Sequence, residues 1–196
     1  MTAFEPFGGD TVNPTMPALV SLRTAVDHGD IPGVEVIGQV LPVEFEQAQE
    51  QIHELIDGYR PDAVICLGLA NGRSEVTPER IAVNLADARI PDNAGALPVD
   101  EPVVTDGPAA YFSTLPVKAI VDALTEDSIP ASVSMTAGTY VCNTVLYRAL
   151  HEQSAGTENV PTGFIHVPHP DVMGQDMINR AVQLCVRTVV DSVASA

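Results

Sequence analysis

At 196 residues, 45% of them hydrophobic and 18% charged, the chain has the material for one compact domain, residues 1–196, and is too apolar to be mainly disordered. Its 26 acidic residues against 9 basic ones, a formal charge of -17, set it against nucleic acid and anionic membranes as partners. It has no apolar run of about 18 residues, and its start lacks a basic stretch followed by an apolar one, so neither a membrane span nor an export signal is expected.

In chain order, short runs rich in Val and Ile at 34–41, 63–69, 81–85, 131–136 and 162–167 read as strands. Helix-period segments fall between most of them. In 44–59, Phe45, Ala48, Ile52, Leu55, Ile56 and Tyr59 share a face, and in 116–127 Ile120, Val121 and Leu124 do the same. The clearest helix is the last, where Ile178, Ala181, Val182, Cys185, Val186, Val189, Val190 and Val193 recur at helical spacing. Strands interleaved with helices, several of them unbroken apolar runs, indicate an α/β fold with a mostly parallel sheet buried on both sides. Residues 87–108 break this rhythm: Pro91, Pro98, Pro102 and Pro108 with Gly95 and Gly107 predict a long ordered loop, of a length that suits a cover for a substrate or a subunit interface, with a plain surface excursion as the competing reading.

The three cysteines, Cys66, Cys142 and Cys185, are an odd number without short paired spacing, which argues for reduced thiols in a cytoplasmic protein. Cys66 lies inside an apolar strand and Cys185 on the apolar face of the last helix, where both act as small hydrophobes. Cys142 differs. It follows a strand and the turn Ala137-Gly138-Thr139 and stands near the start of a helix, where unpaired N–H groups and the helix dipole favour a thiolate and predict a thiol pKa below the usual ~8.5. An ordinary buried cysteine is the competing reading.

A thiol nucleophile needs a base, and of five histidines His166 closes the apolar run Gly163-Phe164-Ile165 at a strand end. In a parallel sheet the carboxyl ends of strands gather at one edge, so His166 and Cys142 are able to meet there. His169 is the rival, set in a Pro168-His169-Pro170 turn, and no third clustered ligand supports a metal pair with His166. The carboxylate that would orient the imidazole stays open among Glu75, Glu79, Asp87 and Asp92.

These residues sit in strings that resemble the pyroglutamyl-peptidase I family of cysteine peptidases: Phe4-Glu5-Pro6-Phe7-Gly8-Gly9 with Asn13-Pro14, Gly72-Arg73, and Pro78-Glu79-Arg80 with Asn84. Ala88-Arg89-Ile90-Pro91-Asp92-Asn93-Ala94-Gly95, the stretch from Ser134 to Asn143, and Gly163-Phe164-Ile165-His166-Val167-Pro168 continue the match in order. The resemblance implies a three-layer α/β/α sandwich of the phosphorylase/hydrolase-like kind. It also implies Cys142 as nucleophile, His166 as general base and acid, and Glu79 as the group orienting the imidazole. Oxyanion stabilisation then falls to the Cys142 backbone N–H and the region of Arg89, and the pocket to Phe4, Phe7, Asn13, Ile90, Tyr140 and Val141. The implied reaction removes an N-terminal pyroglutamyl (5-oxoproline) residue from peptides without metal or cofactor, in a homodimer or homotetramer.

Three features depart from the family pattern. Only Met1, Thr2 and Ala3 precede Phe4 where the family has a fuller apolar strand, so a truncated opening strand is expected. Leu69 stands where Gln is common, and Tyr140 where Phe is usual. The short start leaves a second reading, a catalytically weak relative acting as a binding protein. A nucleoside phosphorylase or related hydrolase is a third, disfavoured by the lack of a phosphate-cradling Gly-rich loop.

Overall fold

The computed structural model describes residues 1–156 and 159–194. Its frame is a five-stranded sheet in the order β2-β1-β3-β7-β4, built from β1 (Thr2–Phe4), β2 (Gln39–Leu41), β3 (Val64–Leu69), β4 (Thr77–Pro78) and β7 (Thr162–Val167). Four strands run parallel; only β4, at the edge, is antiparallel, pairing Thr77 with His166 and Pro78 with Ile165.

Helices α1 (Thr15–Asp27), α3 (Val117–Glu126) and α6 (Gln175–Ala194) pack together on one face, and α2 (Phe45–Tyr59) and α4 (Val141–Ser154) on the other. Alternation along β3 and β7 divides the core accordingly. Ile65, Leu67, Ile165 and Val167 join Leu22, Ile120, Leu124, Ile178 and Val182 on the first face. Val64, Cys66 and Phe164 join Phe4, Ile52, Val145, Leu146 and Tyr147 on the second. Both faces of the two central strands are covered, as their unbroken apolar runs predict.

The opening strand is short rather than lost. Thr2, Ala3 and Phe4 pair with Gln39, Val40 and Leu41 of β2, but only Thr2 finds a register partner, Cys66, on β3. Behind it, Met1, Ile37, Ala63, Ile65 and Val189 help to line an apolar cavity of about 470 Å³. The Met1 ammonium donates to the Ile37 carbonyl at 2.6 Å, and burial lowers its pKa from the ordinary value.

Other expected elements shift. The run at 131–136 is not a ladder strand; it lies along the β4 edge through isolated bridges, Val76 to Ala131 and Glu79 to Ser134. Its backbone bonds to that edge run from the Pro130 carbonyl, which accepts from Val76 N–H, to the Ser134 carbonyl, which accepts from Arg80 N–H, and the Ser134–Thr136 side-chain turn follows. The run at 34–41 is strand only at its last three residues. Residues 81–85 give β5 (Ile81–Val83), which pairs with β6 (Ala110–Phe112) in a separate two-stranded ribbon. Helix α1 had no counterpart in the sequence reading, although Ala18, Leu19, Leu22 and Ala25 are its buried stripe.

The ribbon brackets the 87–108 segment, which is a long ordered loop as expected. Asn84 donates to the carbonyls of Val104 and Gly107 and accepts from the Val104 N–H, while Ala86 and Glu101 exchange backbone bonds. Short α5 (Pro170–Met173) follows β7, with His169 as its N-cap, the imidazole Nδ1 accepting from the Asp171 N–H.

Candidate active site

His166 is the fifth residue of β7 and shares a sheet face with Phe164, whose ring centroid lies 4.7 Å from the imidazole's. Directly opposite on β3 is Gly68. A Cβ there would stand 2.7 Å from the Phe164 ring and 3.0 Å from His166 Cδ2, so the glycine makes room for the imidazole to lie against the sheet. Glu79 follows the edge strand, anchored by its N–H to the Phe164 carbonyl at 2.9 Å. Its carboxylate is fully buried, and Oε1 lies 2.7 Å from His166 Nδ1. The carboxylate fixes the tautomer: Nδ1 carries the proton toward Glu79 and Nε2 keeps its lone pair.

Cys142 is the second residue of α4. The helix opens on Tyr140 in extended conformation, whose carbonyl accepts from the Asn143 and Thr144 N–H groups. No side chain caps it, and the first amides of a helix have no intrahelical acceptor. Asn143 locks this end: its Oδ1 accepts from Val83 N–H while its Nδ2 donates to the carbonyls of Val83 and Leu85.

The protonation states differ from the sequence expectation. Burial pushes the Cys142 thiol up to about 12, with the charge of Glu79 and then Cys66 adding to the rise; Arg73 and the residue's own N–H act in the opposite direction. The desolvation of a thiolate outweighs the helix-end effect. Burial likewise lowers the His166 pKa; Glu79 opposes this and Arg73 reinforces it. Both shifts favour the neutral thiol and the neutral imidazole, although the Cys142 side chain is only partly buried. No hydrogen bond joins Cys142 to His166 among the described residues, as is common before a reacting group draws such pairs together.

The 87–108 loop is stitched to the turn that delivers Cys142. Asp87 N–H donates to the Thr139 carbonyl, Thr139 Oγ1 donates to the Asp87 carbonyl at 2.7 Å, and Tyr140 OH donates to the Pro91 carbonyl at 3.0 Å. Arg89 and Ile90 lie between those two stitches and are exposed. The buried Asp92 carboxylate accepts from the N–H groups of Phe45, Ala94 and Ala96, holding the loop to the start of α2.

Phe4, Phe7, Asn13, Tyr140 and Val141 meet beside Cys142 around a small apolar cavity, joined by Val43 and Leu69. Ile90 does not line it. Phe45 packs edge-on against Tyr140 at 5.1 Å and braces the ring. Asn13 is largely committed to its own chain, with Oδ1 accepting from Thr15 and Nδ2 donating to the Glu5 carbonyl, which leaves one amide hydrogen for the cavity. At position 69 the leucine presents an apolar wall.

One participant had no assigned role in the sequence reading. Arg73, in the turn after β3, donates from Nη1 to Glu79 Oε1 at 2.7 Å. The available signal was the need of a buried carboxylate for a cation, in a chain with only 9 basic residues.

A family model described as pyroglutamyl peptidase matches residues 1–196. The pyrrolidone-carboxylate peptidase of Streptococcus pyogenes serotype M5 (strain Manfredo) is 41% identical over 97% of this chain and 91% of its own. Among solved structures, the pyrrolidone carboxyl peptidase from Thermococcus litoralis superposes with a TM-score of 0.92 at 40% identity, covering 99% of this chain and 93% of that one. Pyroglutamyl peptidase I from Bacillus amyloliquefaciens gives 0.89 at 39% identity, covering 97% and 95%.

Proposed function

Because the chain belongs to the pyroglutamyl peptidase family, we propose that it is a cysteine exopeptidase that removes N-terminal pyroglutamate from peptides. The observation that carries this reading is the buried 2.7 Å contact between His166 and Glu79 at the strand end that shares a sheet face with α4, the helix opening on Cys142.

In the proposed cycle the lactam enters the apolar cavity by Phe4, Phe7, Tyr140 and Val141. Being uncharged, it is not penalised there as an ammonium terminus would be. His166 Nε2 takes the thiol proton as Sγ attacks the pyroglutamyl carbonyl. Because both shifts favour the neutral thiol and imidazole, general-base transfer accompanies attack instead of preceding it. Glu79 stabilises the imidazolium that forms. The negative oxygen is met by the Cys142 N–H and by the loop segment carrying Arg89, whose neighbours Asp87 and Pro91 are bonded to Thr139 and Tyr140. His166 then gives its proton to the leaving amine, and the thioester is hydrolysed by water that His166 deprotonates.

The same reading makes 1–196 a single catalytic domain, working in the cytoplasm as a homodimer or homotetramer. The free cysteines and the absence of any described helix long and apolar enough to cross a membrane are consistent with it. Purified protein should hydrolyse a pyroglutamyl amide and spare the corresponding prolyl amide, and Cys142→Ser should abolish turnover. Equal turnover of both amides, or an active Cys142→Ser protein, would refute the assignment.

A further inference from the structure

Arg73 reaches three parts of the site with one guanidinium. Nη1 donates to Glu79 Oε1 at 2.7 Å and to Thr77 Oγ1 at 2.5 Å, and Nη2 donates to the Thr136 carbonyl at 2.9 Å. Thr77 belongs to the edge strand that precedes Glu79, and Thr136 opens the turn that ends at Cys142. The guanidinium itself is partly exposed, at the wall of a polar cleft with Ser74, Glu75, Ser132 and Ser134. An arginine suits this position: its planar fork makes several fixed bonds at once, and its charge is permanent.

We propose that Arg73 is a positioning residue of the catalytic centre, holding the Glu79 carboxylate against His166 and fastening both to the turn that presents Cys142. The inference rests on the thiol-peptidase reading of the site. Glu79 Oε1 accepts from both Arg73 and His166, so the guanidinium fixes the very oxygen that orients the imidazole. Its charge adds to the His166 contact in offsetting the burial of the Glu79 carboxylate, which stands at zero exposure.

Charge gives the role a signature distinct from packing. The charged and titratable groups that act on the thiol are Glu79 beside β4, Arg73 after β3 and Cys66 within β3, those that act on the imidazole are Glu79 and Arg73, and Tyr140 at the head of α4 is coupled to the thiol. Arg73 lowers the pKa of both His166 and Cys142. Without it, burial alone opposes Glu79 at His166 and the backbone N–H alone opposes it at Cys142, and both pKa values rise. The pH limits between which a proton passes from thiol to imidazole then move alkaline together.

The test compares Arg73→Lys, Arg73→Gln and Arg73→Ala with the parent protein, using a pyroglutamyl amide across pH and an NMR titration of the His166 ring, which needs no turnover. We expect kcat to fall by about 100-fold in Arg73→Ala and Arg73→Gln, the cost of a displaced catalytic geometry, with KM changed far less. Both limbs of the kcat/KM profile and the His166 titration should shift to higher pH. Arg73→Lys should keep the limbs close to their parental position while recovering only part of kcat, since it restores the charge but not the fork. An alkaline His166 shift in Arg73→Gln supports the proposal even if the parent enzyme turns over no pyroglutamyl amide, a result that would sink the peptidase reading alone. Unchanged kcat in Arg73→Ala, or a fall in kcat with unmoved limbs and an unmoved His166 titration, would overturn it. If Arg73→Ala fails to fold, Arg73→Gln and Arg73→Lys carry the same readouts.

Discussion

Between Cys142, His166 and Glu79, the residue whose absence of a side chain matters most is Gly68. It sits across from His166 in the parallel ladder, and a methyl group there would overlap the Phe164 ring and crowd His166 Cδ2. Gly68→Ala is therefore expected to tilt the imidazole out of line and lower kcat by about 100-fold, with the sheet still formed. Steady-state kinetics beside a circular dichroism melt would check this; unaltered kcat would show that the ring has slack. Some of the residue scale was legible in the sequence. A strand ending in His and a turn running into Cys are local patterns, so both were nameable. The choice of Glu79 over Glu75, Asp87 and Asp92 came from resemblance alone, because the antiparallel edge strand that brings it to His166 is two residues long and leaves no periodic signal.

At the scale of elements, α4 depends on how its first turn is fixed to β5, and Asn143 makes that connection with three hydrogen bonds to backbone groups of Val83 and Leu85. Its side chain is almost fully buried, so Asn143→Ala leaves those groups without partners. A destabilisation of about 3 kcal/mol is expected, read from urea or guanidinium midpoints. The long runs that make β3, β7, α2, α3 and α6 declare themselves by pattern, and the sequence placed the first four within a residue and α6 within three. What it missed depends on partners far away in the chain. The 131–136 run has strand composition yet lies beside a two-residue edge and gains only isolated bridges. Residues 81–85 also have strand composition, but their partner is β6 in a separate ribbon, which no local pattern encodes.

For the whole molecule, burying the site has a consequence for stability against pH. His166 has its pKa lowered in the folded protein, chiefly by burial, so as pH falls below about 6.5 the unfolded chain takes up a proton that the native site resists. The contribution is intact above the unfolded pKa and is lost progressively as pH drops toward the lower native one. Melting temperature should therefore fall from pH 7 to pH 5, and more steeply than in His166→Gln; equal slopes in the two proteins would show that the imidazole is not held neutral by its surroundings. The alternating α/β order and the two covered faces of the sheet were legible from unbroken apolar strands, whereas the protonation state of Cys142 was not. A helix start predicts a lowered thiol pKa, and only the packed surroundings reveal that desolvation dominates.

The most direct test of this chemistry is to look for the covalent intermediate on the sulfur. Protein mixed with a pyroglutamyl amide, quenched in acid during turnover, digested and examined by mass spectrometry should carry a pyroglutamyl thioester on the peptide containing Cys142 and none on those containing Cys66 or Cys185. Slowing deacylation should raise its yield, and Cys142→Ala should lack both adduct and turnover. Product release by Cys142→Ala, or an adduct on another residue that forms and decays at the rate of turnover, would contradict the account.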